Sequence, residues 1–186
     1  MSLSAIYTLN IGAKGTEEKR LADQHGDFLA LTESLIPLSI RSHLQCLGEA
    51  PAIADVGTGT GIWLLDLAKE VPKTARLHGF DVDESKFSTE LPLNINLGLA
   101  NVLEPFPKEL LGQYDLVHVR LLMFALKSDQ WVTAAKNLLT VLKPGGYLMW
   151  DETGFTSWSC VPITESFQKW MATDIRYAQL VGRDPT

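Results

Sequence analysis

The chain has 186 residues, 46% of them apolar and 20% charged, enough for one domain with a sizeable core and ordinary for a soluble globular protein. Its 16 basic and 22 acidic side chains leave a net charge of −6 at pH 7 with neither sign gathered in a block, which argues against a nucleic-acid or anionic-membrane surface. No stretch nears the roughly 20 apolar residues that span a bilayer, and the start carries no basic leader, so no membrane association and a cytoplasmic location are expected. Cys46 and Cys160 lack metal-ligand spacing and are expected as reduced, buried thiols; with no Cys/His cluster, no metal is expected.

In chain order, residues 1–15, with Gly12 and Gly15, read as a loose arm. Thr16 can cap a helix with Glu17 and Glu18 in its first turn and Leu21, Phe28, Leu29 and Leu31 as its apolar face. A second helix is predicted over 37–46, turning Ile40, Leu44 and Leu47 inward. Ile53, Ala54 and Val56 form a short buried strand broken only by Asp55, and the run Gly57-Thr-Gly-Thr-Gly61 leads into a helix that should end near Val71-Pro72. Residues 76–81 read as a second strand and 93–99, alternating with period two, as a third, followed by Ala100-Asn-Val-Leu103 and a turn at 105–107. Residues 114–120 make a fourth strand around Leu116, Val117 and Val119. Ser128 can cap a helix over 129–142 with Trp131, Ala135, Leu138, Leu139 and Leu142 inward; the turn Leu142-Lys-Pro-Gly-Gly146 then re-enters the sheet as a fifth strand over 147–151. Beyond Thr153 comes a Gly-, Thr- and Ser-rich stretch with Trp158, then a helix over 164–180. Its Phe167, Trp170, Met171, Ile175 and Tyr177 read as packing residues, the face a helix laid on a sheet needs.

The loop at 57–61 is where chemistry is expected. Glycine supplies dihedrals that a side chain forbids and lets a ligand approach the backbone. The dinucleotide fingerprint Gly-x-Gly-x-x-Gly would need a third glycine where Ile62 stands, so the pattern favours a nucleoside ligand without a pyrophosphate over a nicotinamide dinucleotide. Asp81 lies 20 residues beyond Gly61 at the tip of the second strand. A carboxylate there can accept both ribose hydroxyls, or it can cap the turn at Ser85, a task open to Asp83 as well.

Asp55-Val-Gly-Thr-Gly-Thr-Gly61 resembles the first motif of class I S-adenosylmethionine-dependent methyltransferases, and Leu142-Lys-Pro-Gly-Gly146 resembles a second hallmark of that family. With Gln24-His25 and the segment 114–120, the pattern is similar to methyltransferases of fungal secondary metabolism. The resemblance implies an α/β, Rossmann-like, doubly wound, mostly parallel sheet. It divides the chain into an N-terminal helical cap (1–48), a cofactor-binding core (49–152) and the start of a roof over the acceptor pocket (153–186).

It also implies that S-adenosyl-L-methionine, or its product S-adenosyl-L-homocysteine, is held by Asp55, Gly57, Thr58, Gly59, Gly61, Asp81, Val82, Asn101, Val102, His118 and Arg120. Val82 would flank the adenine. Asn101 stands where the family usually has an aspartate, and its carbonyl oxygen can still accept from the adenine amine. Arg120 reads equally as a salt-bridged surface residue. The acceptor would be a small molecule. His25, His118, Asp151 and Glu152 are the candidate bases by position, His25 also reading as a solvated or core-edge histidine and Asp151 or Glu152 as a capping carboxylate.

The family's sheet has seven strands against five counted here. The C-terminal strands are therefore expected to be absent from this chain, the fifth-strand edge being covered by the rest of a longer protein, a partner or a second copy. A non-catalytic member of the fold, regulatory or partner-binding, is the competing reading.

Overall fold

The structure, a computed structural model, describes residues 14–48, 50–154 and 159–183. Helices α1 (Lys14–Thr32) and α2 (Leu38–Cys46) precede an alternating α/β unit: β1 (Ala52–Val56), α3 (Ile62–Leu67), β2 (Arg76–Asp81), β3 (Ile95–Leu99), β4 (Tyr114–Arg120), α4 (Trp131–Val141) and β5 (Leu142–Asp151). Helix α5 (Glu165–Leu180) follows. The five strands form one parallel sheet in the order β3-β2-β1-β4-β5, the α/β, Rossmann-like arrangement expected.

The order follows from right-handed crossovers that build outward from β1, first to β2 and β3 and then back across to β4 and β5. Side chains of β1 alternate between two cores. Ala52, Ala54 and Val56 pack with Phe80, Val117, Val119 and Leu138, while Ile53 joins Trp63, Leu64, Leu67, Leu77 and Leu116. Each fully buried side chain of that size contributes about 1.5–3 kcal/mol, so β1 and β4, buried on both faces, are the rigid centre of the sheet. Because β2 and β4 flank β1 and their connections leave in opposite directions, a crevice opens at the carboxyl ends of these strands.

Several elements differ from expectation. The Leu142-Lys-Pro-Gly-Gly146 segment is part of β5 rather than a turn ahead of it: Leu142 pairs with Tyr114 and Tyr147 with Leu116, the extra residues forming an irregularity that Gly145 accommodates at φ 83°. Lys143 ties this stretch to the sheet through Nζ, which donates to Asp115 Oδ2 at 2.8 Å. Ser128 does not cap α4; its N–H and hydroxyl both donate to the carbonyl of Gly182, and the helix begins at Trp131. The inward face of α4 is Ala134, Leu138 and Val141, with Leu139 outward at 57% exposure.

Leu31, Leu47 and Leu93 are likewise exposed, and Cys46, at the end of α2 and off its Ile40–Leu44 face, is an exposed thiol. α1 starts at Lys14, so Thr16 lies within it, and α3 stops at Leu67 before the predicted end. α5 is capped by Thr164, whose hydroxyl accepts from Phe167 N, but only Ala178 of it is buried; Trp170 and Tyr177 are exposed, so these aromatics do not pack a core. Trp158 and most of the N-terminal arm lie outside the described residues. Among the described residues no helix is long and apolar enough to cross a membrane.

Candidate functional site

The loop after β1 is built on three left-handed glycines, Gly57 at φ 78°, Gly59 at 57° and Gly61 at 81°, a region open to glycine at little cost. The N–H groups of Gly57 and Thr58 donate to the carbonyl of Phe80 at 2.7 and 3.0 Å, and Gly61 N–H to that of Thr58. The loop is therefore folded back over the end of β2, where Gly79 leaves room for Thr58. A cavity of about 150 Å³ lies over it, walled by the ends of β1, β2 and β4, by the segment after β3, and by Leu21 and Gln24 of α1.

Asp55, 3% exposed, accepts from Thr58 Oγ1 at 2.6 Å and from His118 Nδ1 at 2.7 Å. It stands opposite His118 in the β1–β4 register, which is why two residues 63 positions apart meet. The imidazole of His118 stacks on Trp63 with ring centres 3.9 Å apart, and among the described residues its Nε2 makes no hydrogen bond, the nearest carboxylate oxygen being Asp151 Oδ2 at 3.5 Å. Burial opposes charge on His118, but the Asp151 and Asp55 carboxylates outweigh it and raise its pKa above the ordinary histidine range.

At the tip of β2, Asp81 Oδ2 accepts from Gly59 N–H at 2.8 Å and Oδ1 from Asp83 N–H at 3.1 Å. Burial raises its pKa against these hydrogen bonds. The competing cap role falls to Asp83, whose carboxylate accepts from Ser85 N–H and Oγ. Asn101 lines the cavity with Oδ1 turned onto Leu103 N–H at 3.0 Å, leaving that oxygen one further lone pair. Val82 and Val102 also line the cavity.

Arg120, at the end of β4, is not the salt-bridged surface residue of the alternative reading: among the described residues no carboxylate lies within 4 Å of its guanidinium, which lines the cavity. Its Nη2 donates to His25 Nδ1 at 3.1 Å, and its central carbon stands 4.9 Å above the Phe28 ring. His25, buried, is committed on its other side to Asp66 Oδ2 at 3.0 Å. Glu152 accepts from Leu122 N–H, Met123 N–H and Trp150 Nε1 and so fixes the turn after β4.

Of the four candidate bases, His118 alone lines the main cavity, while His25 and Asp151 line a small neighbouring one. The structure thus gathers Asp55, Gly57, Thr58, Gly59, Asp81, Val82, Asn101, Val102, His118 and Arg120 around one cavity, whereas Gly61, expected among them, does not line it: the space a Cβ would take there faces the Leu97 side chain. Trp63, Leu21 and Lys86 join them unforeseen. For Lys86 the one signal was its place three residues after Asp83, within the same short turn.

Residues 53–146, about half of the chain, match the methyltransferase domain family. Methyltransferase grgD of a Penicillium species is 43% identical over 165 residues, 83% of this chain and 55% of that protein. N-methyltransferase tcpN of Claviceps purpurea (strain 20.1) is 38% identical over 99 residues, 52% of this chain and 35% of that protein. The chain thus spans about half or less of the length of these relatives. Among solved structures, the plantazolicin methyltransferase BpumL, in complex with a pentazolic desmethylPZN analog and SAH, shares the fold with a TM-score of 0.50 at 17% identity, over 66% of this chain and 48% of that one. With the motif, the parallel sheet and the loop geometry in agreement, this chain belongs to the methyltransferase domain family.

Proposed function

We propose that the chain binds S-adenosyl-L-methionine and forms the cofactor-binding part of a cytosolic enzyme that methylates a small-molecule acceptor, in keeping with its likeness to methyltransferases of fungal secondary metabolism. The carrying observation is the polarity of the cavity. It offers the Arg120 guanidinium, without a carboxylate partner among the described residues, at the end of β4, and the Asp81 carboxylate at the end of β2. Two inter-strand spacings separate these strand ends, about 10 Å. That suits a ligand with an anionic group at one end and a diol at the other, laid across a loop that has no Cβ at Gly57 or Gly59.

When bound, this cofactor supplies an electrophilic methyl carbon on a sulfonium. The chain's own residues bind, orient and exclude water. Asp81 and Asn101 take the nucleoside, Val82 and Val102 give it apolar walls, and Arg120 takes the carboxylate. Asp55, fixed by Thr58 and His118, places negative charge beside the loop. Among the candidate bases Asp151 keeps uncommitted carboxylate lone pairs, since His25 accepts from Arg120 at Nδ1 and donates to Asp66 from Nε2, and Glu152 accepts from Leu122, Met123 and Trp150. We assign residues 1–48 to the cap, 49–152 to the core and 153–186 to the start of the acceptor roof.

Calorimetric titration with S-adenosylmethionine and S-adenosylhomocysteine, beside Asp81→Ala, tests the reading. Binding that the substitution weakens by roughly 1.5–3 kcal/mol, the scale of hydrogen bonds to a charged group, is expected. A folded wild type that binds neither ligand refutes it. Amine acceptors are the first to try for turnover, since the Claviceps relative is named an N-methyltransferase. Binding without transfer to any acceptor would favour the regulatory reading.

A further inference from the structure

We propose that His25, as its neutral Nε2–H tautomer, is a positioning residue that aims the Arg120 guanidinium at the anionic end of the ligand while fastening α1 over the glycine loop. This rests on the cofactor reading above.

The tautomer follows from the partners. Arg120 has only donors, so the His25 Nδ1 that lies 3.1 Å from its Nη2 must present a lone pair. The ring proton is then on Nε2, where Asp66 Oδ2 accepts it at 3.0 Å. Asp66 is itself pinned by Lys69 on the next turn of the chain. The guanidinium is gripped at one corner by His25 and on one face by the Phe28 ring, one helical turn further along α1. Arg120 lines both the main cavity and the small one beside it, the latter shared with His25 and Phe28.

The same helix meets the loop through Leu21, whose Cδ1 lies 3.4 Å from where a Cβ of Gly59 would stand, and walls the cavity with Gln24. Residues 21, 24, 25 and 28 share one face of α1 by helical spacing. A single contact set thus sets both the helix and the arginine.

Protonating His25 destroys the arrangement. Nδ1–H cannot accept from Arg120, and two cations would stand 3.1 Å apart. The groups facing the ring are Asp66 from α3, with Lys69 of the following turn behind it, Arg120 from β4, Asp55 from β1 and Asp151 from β5 across the small cavity. Asp66 holds the ring in either state, so Arg120 is the group that gives way. Burial holds His25 below the ordinary histidine range, against the pull of Asp66, so the neutral form persists at neutral pH.

The test uses the full chain and two probes: S-adenosylhomocysteine, which carries a carboxylate, and 5′-methylthioadenosine, the same nucleoside without one. His25→Ala should weaken S-adenosylhomocysteine about tenfold or more, equivalent to about 1.4 kcal/mol, and 5′-methylthioadenosine by less than about twofold. His25→Gln, whose amide can donate to Asp66 and accept from Arg120, should stay within about threefold of the wild type. The wild type should lose S-adenosylhomocysteine affinity as His25 is protonated at acid pH, and His25→Gln should not. Equal weakening of both probes by His25→Ala, or no weakening of either, overturns the positioning role. A wild type that binds 5′-methylthioadenosine but not S-adenosylhomocysteine overturns it too. A folded wild type that binds neither overturns the cofactor reading and, with it, this assignment.

Discussion

Gly79→Ala should disable the site from beneath. Gly79 sits in β2 opposite Asp55 and has ordinary strand dihedrals, so the requirement is for space rather than conformation. A Cβ built there would collide with Leu97 Cδ2 and stand 2.8 Å from Thr58 Oγ1 and 2.9 Å from Thr58 Cγ2. Leu97 is a partly buried side chain at the edge of its cluster and can rotate away. Thr58 cannot: its N–H is bonded to Phe80 O and its hydroxyl to Asp55 Oδ2. Overpacking of this kind costs about 1–3 kcal/mol, and losing the hydroxyl's bond to the buried carboxylate adds about 1.5 kcal/mol or more. The expected destabilisation is about 3–4 kcal/mol, a fall in Tm of roughly 6–16 °C for a chain of this size. Urea denaturation gives the first quantity, and titration with S-adenosylhomocysteine should show affinity lost beyond what the folded fraction explains. Leu97→Val added to Gly79→Ala should recover only a minor part of either loss. A Gly79→Ala protein with wild-type stability and affinity would refute the argument that Thr58 is immobile.

Glu152→Ala strips the acceptor from Leu122 N–H, Met123 N–H and Trp150 Nε1, and urea denaturation should report a loss of about 3 kcal/mol from the unsatisfied donors. Thr164→Ala removes the cap of α5 at about 1 kcal/mol; as that helix buries only Ala178, amide exchange in its first turn should accelerate with little change in the global midpoint. His118 has a raised folded pKa, so the folded state holds a proton that the unfolded chain has released once pH exceeds about 6.5. Its contribution is complete below that pH and disappears as pH rises through the folded value, so urea midpoints should fall over this window in the wild type and stay flatter in His118→Gln.

The strand segments β2 and β4 could be read directly because each is a β-rich run closed by a turn, and the glycine loop because three glycines at alternate positions leave few other uses. Asp81 and Asn101 both line the cavity, since strand tips in a parallel sheet all open on one side. What the sequence concealed depends on distant partners. The inward face of α4 contains Ala134 and excludes Leu139, a shift that hydrophobicity alone cannot register when leucines lie on both faces. Gly145-Gly146 has turn chemistry, yet Lys143 reaching Asp115 and the Leu142–Tyr114 pairing keep the segment on the sheet. His25 was readable as a histidine near the site but not as a tether, because Asp66 and Arg120 are 41 and 95 residues away.

The buried pair between Asp55 and His118 is poorly explained as a stabilising device. Removing both charges from water costs several kcal/mol, which attraction in the interior repays only when every remaining polar atom is satisfied, and His118 Nε2 is not. Apolar residues of the same size at these positions would cost the fold little, and the sheet around them is already buried on both faces. What apolar residues could not do is hold Thr58. Its hydroxyl needs the carboxylate, the carboxylate needs the imidazole to fix its orientation, and the imidazole is clamped flat against Trp63 at the start of α3. The chain from Trp63 to Thr58 therefore runs from one end of the glycine loop back to its middle and closes it into a ring of side-chain contacts. Glycine has more backbone freedom to lose than any other residue, and this ring removes it from the loop before any ligand arrives. The buried charges are best understood as preorganising the loop, at a cost that the core of β1 and β4 can bear.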